Sequence, residues 1–366
     1  MSMLDQGWFK RCEEVIPTAL RRLKLGEQPG RYLPCARGAT TEGREMSLAW
    51  SCFALKTMHV IDAWDPLLRE EREGWIEFIQ DFQREDADGV FEDPPEIAYL
   101  RRSQGLFAAL LRLIGRAPWR PDPESILLAE TKQAIATLSE IGSKPREPFR
   151  RFPTTPEGVK TWLEALDWSK PWGAGGQSAG LVVFLVTQAP GLLKAGEAGE
   201  LLDVCRGFYA TLADSETGAY FRGRRPAHGE LINGAMKVLM ALDWLNMPIH
   251  FPDRLIATTL LVPPKRDGCH LVDAVYVLHR CLSGRAGDRA VRSFCADILE
   301  SIREHEHERG GFSFYVKRAQ TNYYGVPISR GLDEPDIQGT CLLTWASAMI
   351  WKLLEPASAR WKVLKP

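Results

Sequence analysis

Residues 309–354 read RGGFSFYVKRAQTNYYGVPISRGLDEPDIQGTCLLTWASAMIWKLL, and their three-part pattern decides the fold. A Gly310-Gly311 turn carries the aromatics Phe312, Phe314 and Tyr315. A polar loop follows, with Arg318, Tyr323, Tyr324 and Arg330, and ends in Asp333 and Glu334. From Asp336 the chain opens a helix that is apolar on nearly every face, through Leu342, Leu343, Trp345, Met349 and Ile350. A helix of that kind must be covered on most sides.

The same alternation extends back through the chain. Val291, Phe294, Cys295, Ile298, Leu299 and Ile302 form a single stripe, as on a one-sided surface helix. Residues 8–25 read as a helix that ends at the breaker Gly26-Glu27-Gln28-Pro29-Gly30. Residues 97–114 place Leu106, Phe107, Leu110, Leu111 and Ile114 on one face, and residues 123–141 form the successor helix. Six helices read as apolar nearly all round, opening near Glu45, Ile97, Gln177, Leu231, Cys269 and Asp336. A glycine turn with aromatics recurs at Asp88-Gly89-Val90-Phe91, at Thr217-Gly218-Ala219-Tyr220 and at Gly310-Gly311-Phe312. The expected fold is all-α: an (α/α)6 toroid, with six inner helices each covered by an amphipathic outer one. An open helical array is the alternative. The Pro-rich residues 144–156 are expected to connect helices within one domain spanning 1–366. Residues 1–40 then form an N-terminal outer helix and loop, and 309–335 a lid-like loop over the cavity.

Composition narrows the function. A formal net charge of -1 gives no basic field for nucleic acid. No run approaches the ~18 apolar residues of a membrane span, and no signal-length apolar run is seen near the N-terminus. The eight cysteines form no CxxC pair, which favours free thiols in a reducing cytoplasm.

Two short segments carry a family resemblance. Leu271-Val272-Asp273-Ala274-Val275-Tyr276 resembles the Leu-Val-Asp-x-Cys-Tyr segment of protein prenyltransferase catalytic subunits. Asp336-Ile337-Gln338-Gly339-Thr340-Cys341 resembles their Asp-x-x-His-Thr-Cys segment. The resemblance implies the α/α toroid of the prenyltransferase and terpenoid-cyclase (squalene-repeat) superfamily. It implies zinc binding only at Asp273, because Val275 and Gly339 stand where the family has its Cys and His ligands. Cys269, His270, Asp273 and His279 leave a metal question open, but one carboxylate does not make a zinc site. The expectation is therefore no cofactor. Asp333-Glu334-Pro335-Asp336 lies where the cyclase branch would hold its acid, although it is not the Asp-x-Asp-Asp motif.

In such a ring the inner-helix N-termini and their loops surround one mouth of the cavity. The acid/base candidates there are Asp333, Glu334, Asp336, His270, Tyr323 and Tyr324. Trp172, Gln177, Asn233, Asp273, Arg318 and Arg330 are candidates for holding substrate. Amides, His, Arg and carboxylates suit a hydroxyl-rich or anionic ligand better than a prenyl chain. A lyase needs groups that neutralise a carboxylate and a base for the α-proton, and a glycosidase needs two carboxylates. The expected function is thus acid/base chemistry on a carbohydrate or other polar small molecule. A cyclase using Asp333 or Asp336 and a non-catalytic glycan- or protein-binding toroid are the alternatives. Each residue also has a plainer reading, Asp336 above all as a helix N-cap.

Overall fold

The computed structural model describes residues 4–84, 86, 88–102, 122–285 and 287–366. Among these, 14 α-helices make 57% of the residues helical and the one sheet is a two-strand hairpin, so the chain is all-α. The helices begin with α1 (Gln6–Leu23), α2 (Thr41–Glu45), α3 (Leu48–Val60), α4 (Arg69–Gln80) and α5 (Pro94–Arg102). Then come α6 (Pro123–Glu140), α7 (Pro156–Glu164), α8 (Pro171–Thr187), α9 (Glu197–Leu212) and α10 (His228–Trp244). The last are α11 (Pro252–Leu260), α12 (Gly268–Leu282), α13 (Arg289–Glu304) and α14 (Ile337–Leu354). Strands β1 (Asn322–Tyr323) and β2 (Val326–Pro327) precede α14.

Two compact units are present. The first comprises Met1–Phe9, Glu147–Glu304 and Leu342–Pro366. In it α8 packs on α10 and α10 on α12, and all three are buried along most of their length. Helices α7, α9, α11 and α13 lie against this row, α9 on α7 and α8, and α11 and α13 on α12. Of the predicted stripe, α13 buries Val291, Cys295, Ile298, Leu299 and Ile302, while Phe294 is half-buried. The α8–α10 contact is close because Gly175 and Gly234 supply no side chain. A Cβ on Gly234 would lie 2.5 Å from Pro171 Cβ, and one on Gly175 2.9 Å from Lys237 Cβ.

The second unit comprises Lys10–Arg146 and His305–Cys341. Its core is α3, buried at almost every position and packed on α4 and α6. Helix α6, which the sequence presents as a successor helix rather than one of the six apolar ones, is buried at Ile126, Leu127, Glu130, Thr131 and from Ala134 to Leu138. Glu130, Thr131 and Thr137 lower its apparent hydrophobicity without exposing it. The stripe from Leu106 to Ile114 lies outside the described residues. The β1–β2 hairpin turns through Tyr324 and Gly325, both with positive φ (44° and 85°), the conformation a two-residue hairpin turn favours. Antiparallel bridges Ala39↔Ser329 and Cys35↔Asp336 hold this segment on residues 35–39.

Four helices end in one shared device. After α1, α4, α9 and α13 the chain doubles back and forms one antiparallel bridge: Lys24↔Tyr32, Gln83↔Phe91, Ala213↔Tyr220 and Glu306↔Phe312. Each is made by the same two backbone bonds. For the third, Asp214 N–H donates to Ala219 O (2.8 Å) and Phe221 N–H to Leu212 O (3.2 Å). The second bridge partner is always a buried aromatic, Tyr32, Phe91, Tyr220 or Phe312, none more than 6% exposed. Two residues before each aromatic stands a glycine with positive φ: Gly30, Gly89, Gly218 and Gly310. The sequence shows three of these clasps. The fourth is the Gly26–Gly30 breaker.

Left-handed backbone and lack of space can be separated by substitution. Gly218 has φ +75° and an added Cβ would lie 2.5 Å from Leu255 N, whereas Gly223 has φ +78° and nothing within 4 Å. Gly223→Ala is expected to cost about 1 kcal/mol from backbone strain alone. Gly218→Ala is expected to cost roughly 2–4 kcal/mol, because overpacking adds to the strain. Urea unfolding of both variants checks this, and equal costs would refute the steric account.

Candidate functional site

In the first unit the N-terminal ends of α8, α10 and α12 come together. Helix α8 has no capping side chain of its own. Glu230, in the first turn of α10, serves instead, accepting the Trp172 N–H at 2.9 Å. Asp267 caps α12 by accepting the His270 N–H at 3.1 Å. An Asp267 carboxylate oxygen also lies 2.9 Å from His270 Nδ1. That contact makes Nδ1 the donor in the neutral ring and leaves Nε2 as the acceptor. The Trp172 ring packs edge-on to the imidazole, with centroids 5.8 Å apart. A Cβ on Gly229 would lie 3.6 Å from His270 Nε2, so α10 passes directly beside the ring.

Gly229, Asn233 and Lys237 are spaced four residues apart and share one face of α10. Opposite them on α12, His270 and Asp273 are three apart. Lys237 and His270 both act electrostatically on the Asp273 carboxylate. Burial is the larger effect and pushes Asp273 up to about 6, with Lys237 and His270 opposing it. Asn233 and Asp273 are 1% and 2% exposed, yet Asn233 Nδ2 and Asp273 Oδ2 have no hydrogen-bond partner. Four residues named from the sequence, Trp172, Asn233, His270 and Asp273, therefore belong to one local group. Gln177 lies exposed on α8 and makes no hydrogen bond to it.

The candidates of residues 309–336 fall in the second unit. Asp336 is buried, and its carboxylate accepts the backbone N–H of Phe314 (2.6 Å), Gln320 (3.0 Å) and Gly339 (2.7 Å). It is the N-cap of α14 and fastens the preceding loop to the helix. Burial raises it to about 6 against the pull of those three amides. Glu334 accepts the N–H groups of Arg37 (2.8 Å) and Gly38 (2.6 Å). Asp333 is exposed and lies 3.6 Å from His307 Nδ1. Arg330 donates to the Arg37 carbonyl, and the Arg318 guanidinium stacks over Tyr315 at 4.5 Å. The glycine at position 339 has a steric cause. Any Cβ there would lie 2.4 Å from Phe314 N.

Tyr323 leads to a group that the sequence reading did not single out. Its hydroxyl donates to Glu130 Oε1 at 2.5 Å, and its ring packs on Trp50, Phe53 and the half-exposed Tyr324. Glu130 interacts with Glu96 and Asp93, and all three carboxylates are at most 2% exposed. Asp93 Oδ2 accepts the N–H groups of Ser47 and Leu48, starting α3. Asp93 Oδ1, both Glu96 oxygens and Glu130 Oε2 have no hydrogen-bond partner. Burial raises Asp93 to about 6 and Glu130 to about 7, and drives Glu96 well above the usual carboxylate range. The available signal was Glu130 placed between the apolar groups Ile126-Leu127-Leu128-Ala129 and Ala134-Ile135-Ala136.

Among the described residues no three His, Cys, Asp or Glu side chains are arranged to hold a metal ion. His279 is half-buried, and desolvation, then Arg280 and Lys352, lower it to about 4. All eight cysteines are free, and no helix among the described residues is long and apolar enough to cross a membrane. No protein-family model matches the chain, and no curated protein is significantly similar to it.

The raised Glu96 carries a pH signature. Its folded-state pKa exceeds the unfolded value, so the fold binds the extra proton and loses stability as pH rises above about 4.5. Glu96→Gln removes that titration. The variant is expected to melt higher than wild type at pH 8, with the advantage shrinking toward pH 5. Calorimetric scans across that range test it, and an advantage that grows on acidification would contradict the burial argument.

Proposed function

We propose that the chain is an (α/α)6 toroid of the prenyltransferase and terpenoid-cyclase kind. We place its activity at the joined N-termini of α8, α10 and α12. Three features support the toroid reading. They are the alternation of enclosed and one-sided helices, the fourfold repetition of the same clasp, and the resemblance around Asp273 and Asp336.

The substrate in this reading is a carbohydrate or another polar, anionic small molecule, and the chemistry is lyase- or hydrolase-like acid/base catalysis. The observation that carries it is the pair of buried, unpartnered groups Asn233 Nδ2 and Asp273 Oδ2 beside His270. One is a donor and the other an acceptor, as a bound hydroxyl or carboxylate edge requires. Trp172, half-buried, offers an apolar face to a sugar ring. His270 Nε2, with Nδ1 tied to Asp267, is suited to take a proton. Asp273, raised to about 6, is suited to return one to a leaving oxygen. Lys237 supplies the positive charge an anionic substrate needs. The free thiols fit a cytoplasmic setting.

The isoprenoid alternative would need Asp333 or Asp336 as its acid. Asp333 is exposed, and Asp336 is engaged by three backbone amides, so no observation favours that reading.

Incubation with neutral and uronate-containing oligosaccharides tests the proposal, read as reducing ends or as ultraviolet absorbance of an unsaturated product. His270→Gln and Asp273→Asn are expected to lower kcat about 10²-fold or more. Trp172→Ala is expected to act mainly on KM. Saturable binding with no consumption of any substrate would turn the reading toward a non-catalytic glycan-binding toroid.

A further inference from the structure

The carboxylates around Glu96 raise a separate question. Burying a charge is costly unless it is paired and hydrogen-bonded. Asp93, Glu96 and Glu130 interact with one another, and together they present four oxygens without a donor. The Lys56 ammonium acts on Glu130, Cys52 and Cys341, and neither Asp93 nor Glu96 feels it. Among the described residues Glu96 interacts with Asp93, Glu130 and Tyr323, whose hydroxyl is spent on Glu130. Three acids and one lysine leave room for a further positive charge.

The arrangement discriminates between kinds of cation. Among the described residues no three such side chains form a group able to hold a metal ion. Four acceptors that lack a donor suit a cation that carries several N–H donors. Aromatic faces stand beside them, because Trp50 and Phe53 both pack on Tyr323, at 5.2 and 6.0 Å between centroids. Carboxylates flanked by aromatic rings are a recurrent way of holding an organic cation. Tyr324, 39% exposed, packs tilted on Tyr323 with centroids 4.5 Å apart, so the aromatic cluster beside the carboxylates extends to the surface.

We infer that Asp93, Glu96 and Glu130 form a binding site for an organic cation, a guanidinium or primary ammonium group, walled by Trp50, Phe53 and Tyr323. The site is independent of the acid/base reading above, since it uses none of those residues.

The experiment uses the full chain and two probes. Thermal unfolding at pH 8 is followed with agmatine, which carries a guanidinium, and with putrescine, which carries only ammonium groups. Sodium chloride at matched ionic strength is the control. A saturable rise in Tm with at least one probe is expected, and comparing the two identifies the preferred group. Glu96→Gln or Glu130→Gln should weaken the apparent affinity on the order of tenfold or more, as loss of a charged hydrogen bond implies. Both variants remove a buried charge and are expected to fold. The exposed Glu73→Gln should leave the affinity unchanged. At pH 5, where protons occupy Asp93 and Glu130, the rise should vanish. No rise beyond sodium chloride, or an affinity untouched in both Gln variants, overturns the inference.

Discussion

The constraint on which most of the chain depends is the clasp that closes α1, α4, α9 and α13. A helix end leaves carbonyls without partners, and a buried helix needs them satisfied. Here the chain reverses through a left-handed glycine and returns two backbone bonds to the helix terminus. The returning strand then drives an aromatic ring into the core. The glycine and the ring are coupled. At Gly30 an added Cβ would strike Trp75 and Phe78, and at Gly310 it would strike Val15. The turn can therefore pack against neighbouring helices only where no side chain is present. The chain leaves each clasp already seated, which sets where the next helix begins.

Much of this was legible in the sequence, and the failures have physical causes. Apolar periodicity revealed α3, α8, α10, α12 and α14, because a helix covered on all sides needs little polar surface. It under-read α6, whose Glu130, Thr131 and Thr137 are buried by being bonded or by holding raised proton affinity. Thr137 returns its hydroxyl to the Gln133 carbonyl, and Thr131 bonds across to Phe91, so both are polar in name yet cost little to bury. The first clasp was hidden because Pro29 and Gly30 read as a simple breaker. Hydropathy carries no record of the bridge that Tyr32 makes.

A carboxylate's role depends on its donors, which residue type does not record. Asp336 and Glu334 read as acids, and in the structure each is engaged by backbone N–H groups. Such bonds stabilise the ionised form and fix the loop, leaving little capacity for substrate. Asp273 and Glu96 have the same burial without those partners. The difference lies in which amides the backbone happens to aim at each oxygen, and no local sequence pattern records that.

This contrast locates an energetic cost in the molecule. A buried polar atom without a partner weakens a fold by about 1–3 kcal/mol, more when it is charged. A chain gains nothing in stability from Asn233, Asp273, Glu96 and Glu130 as they stand. Apolar residues of similar volume at those positions would pack as well and remove the penalty. The unpartnered atoms of these four residues fall in two places. They occur beside His270 at the ends of three joined helices, and beside Tyr323 among aromatic rings. Unmet hydrogen bonds next to groups able to move protons or hold charge are the physical basis of both proposed sites.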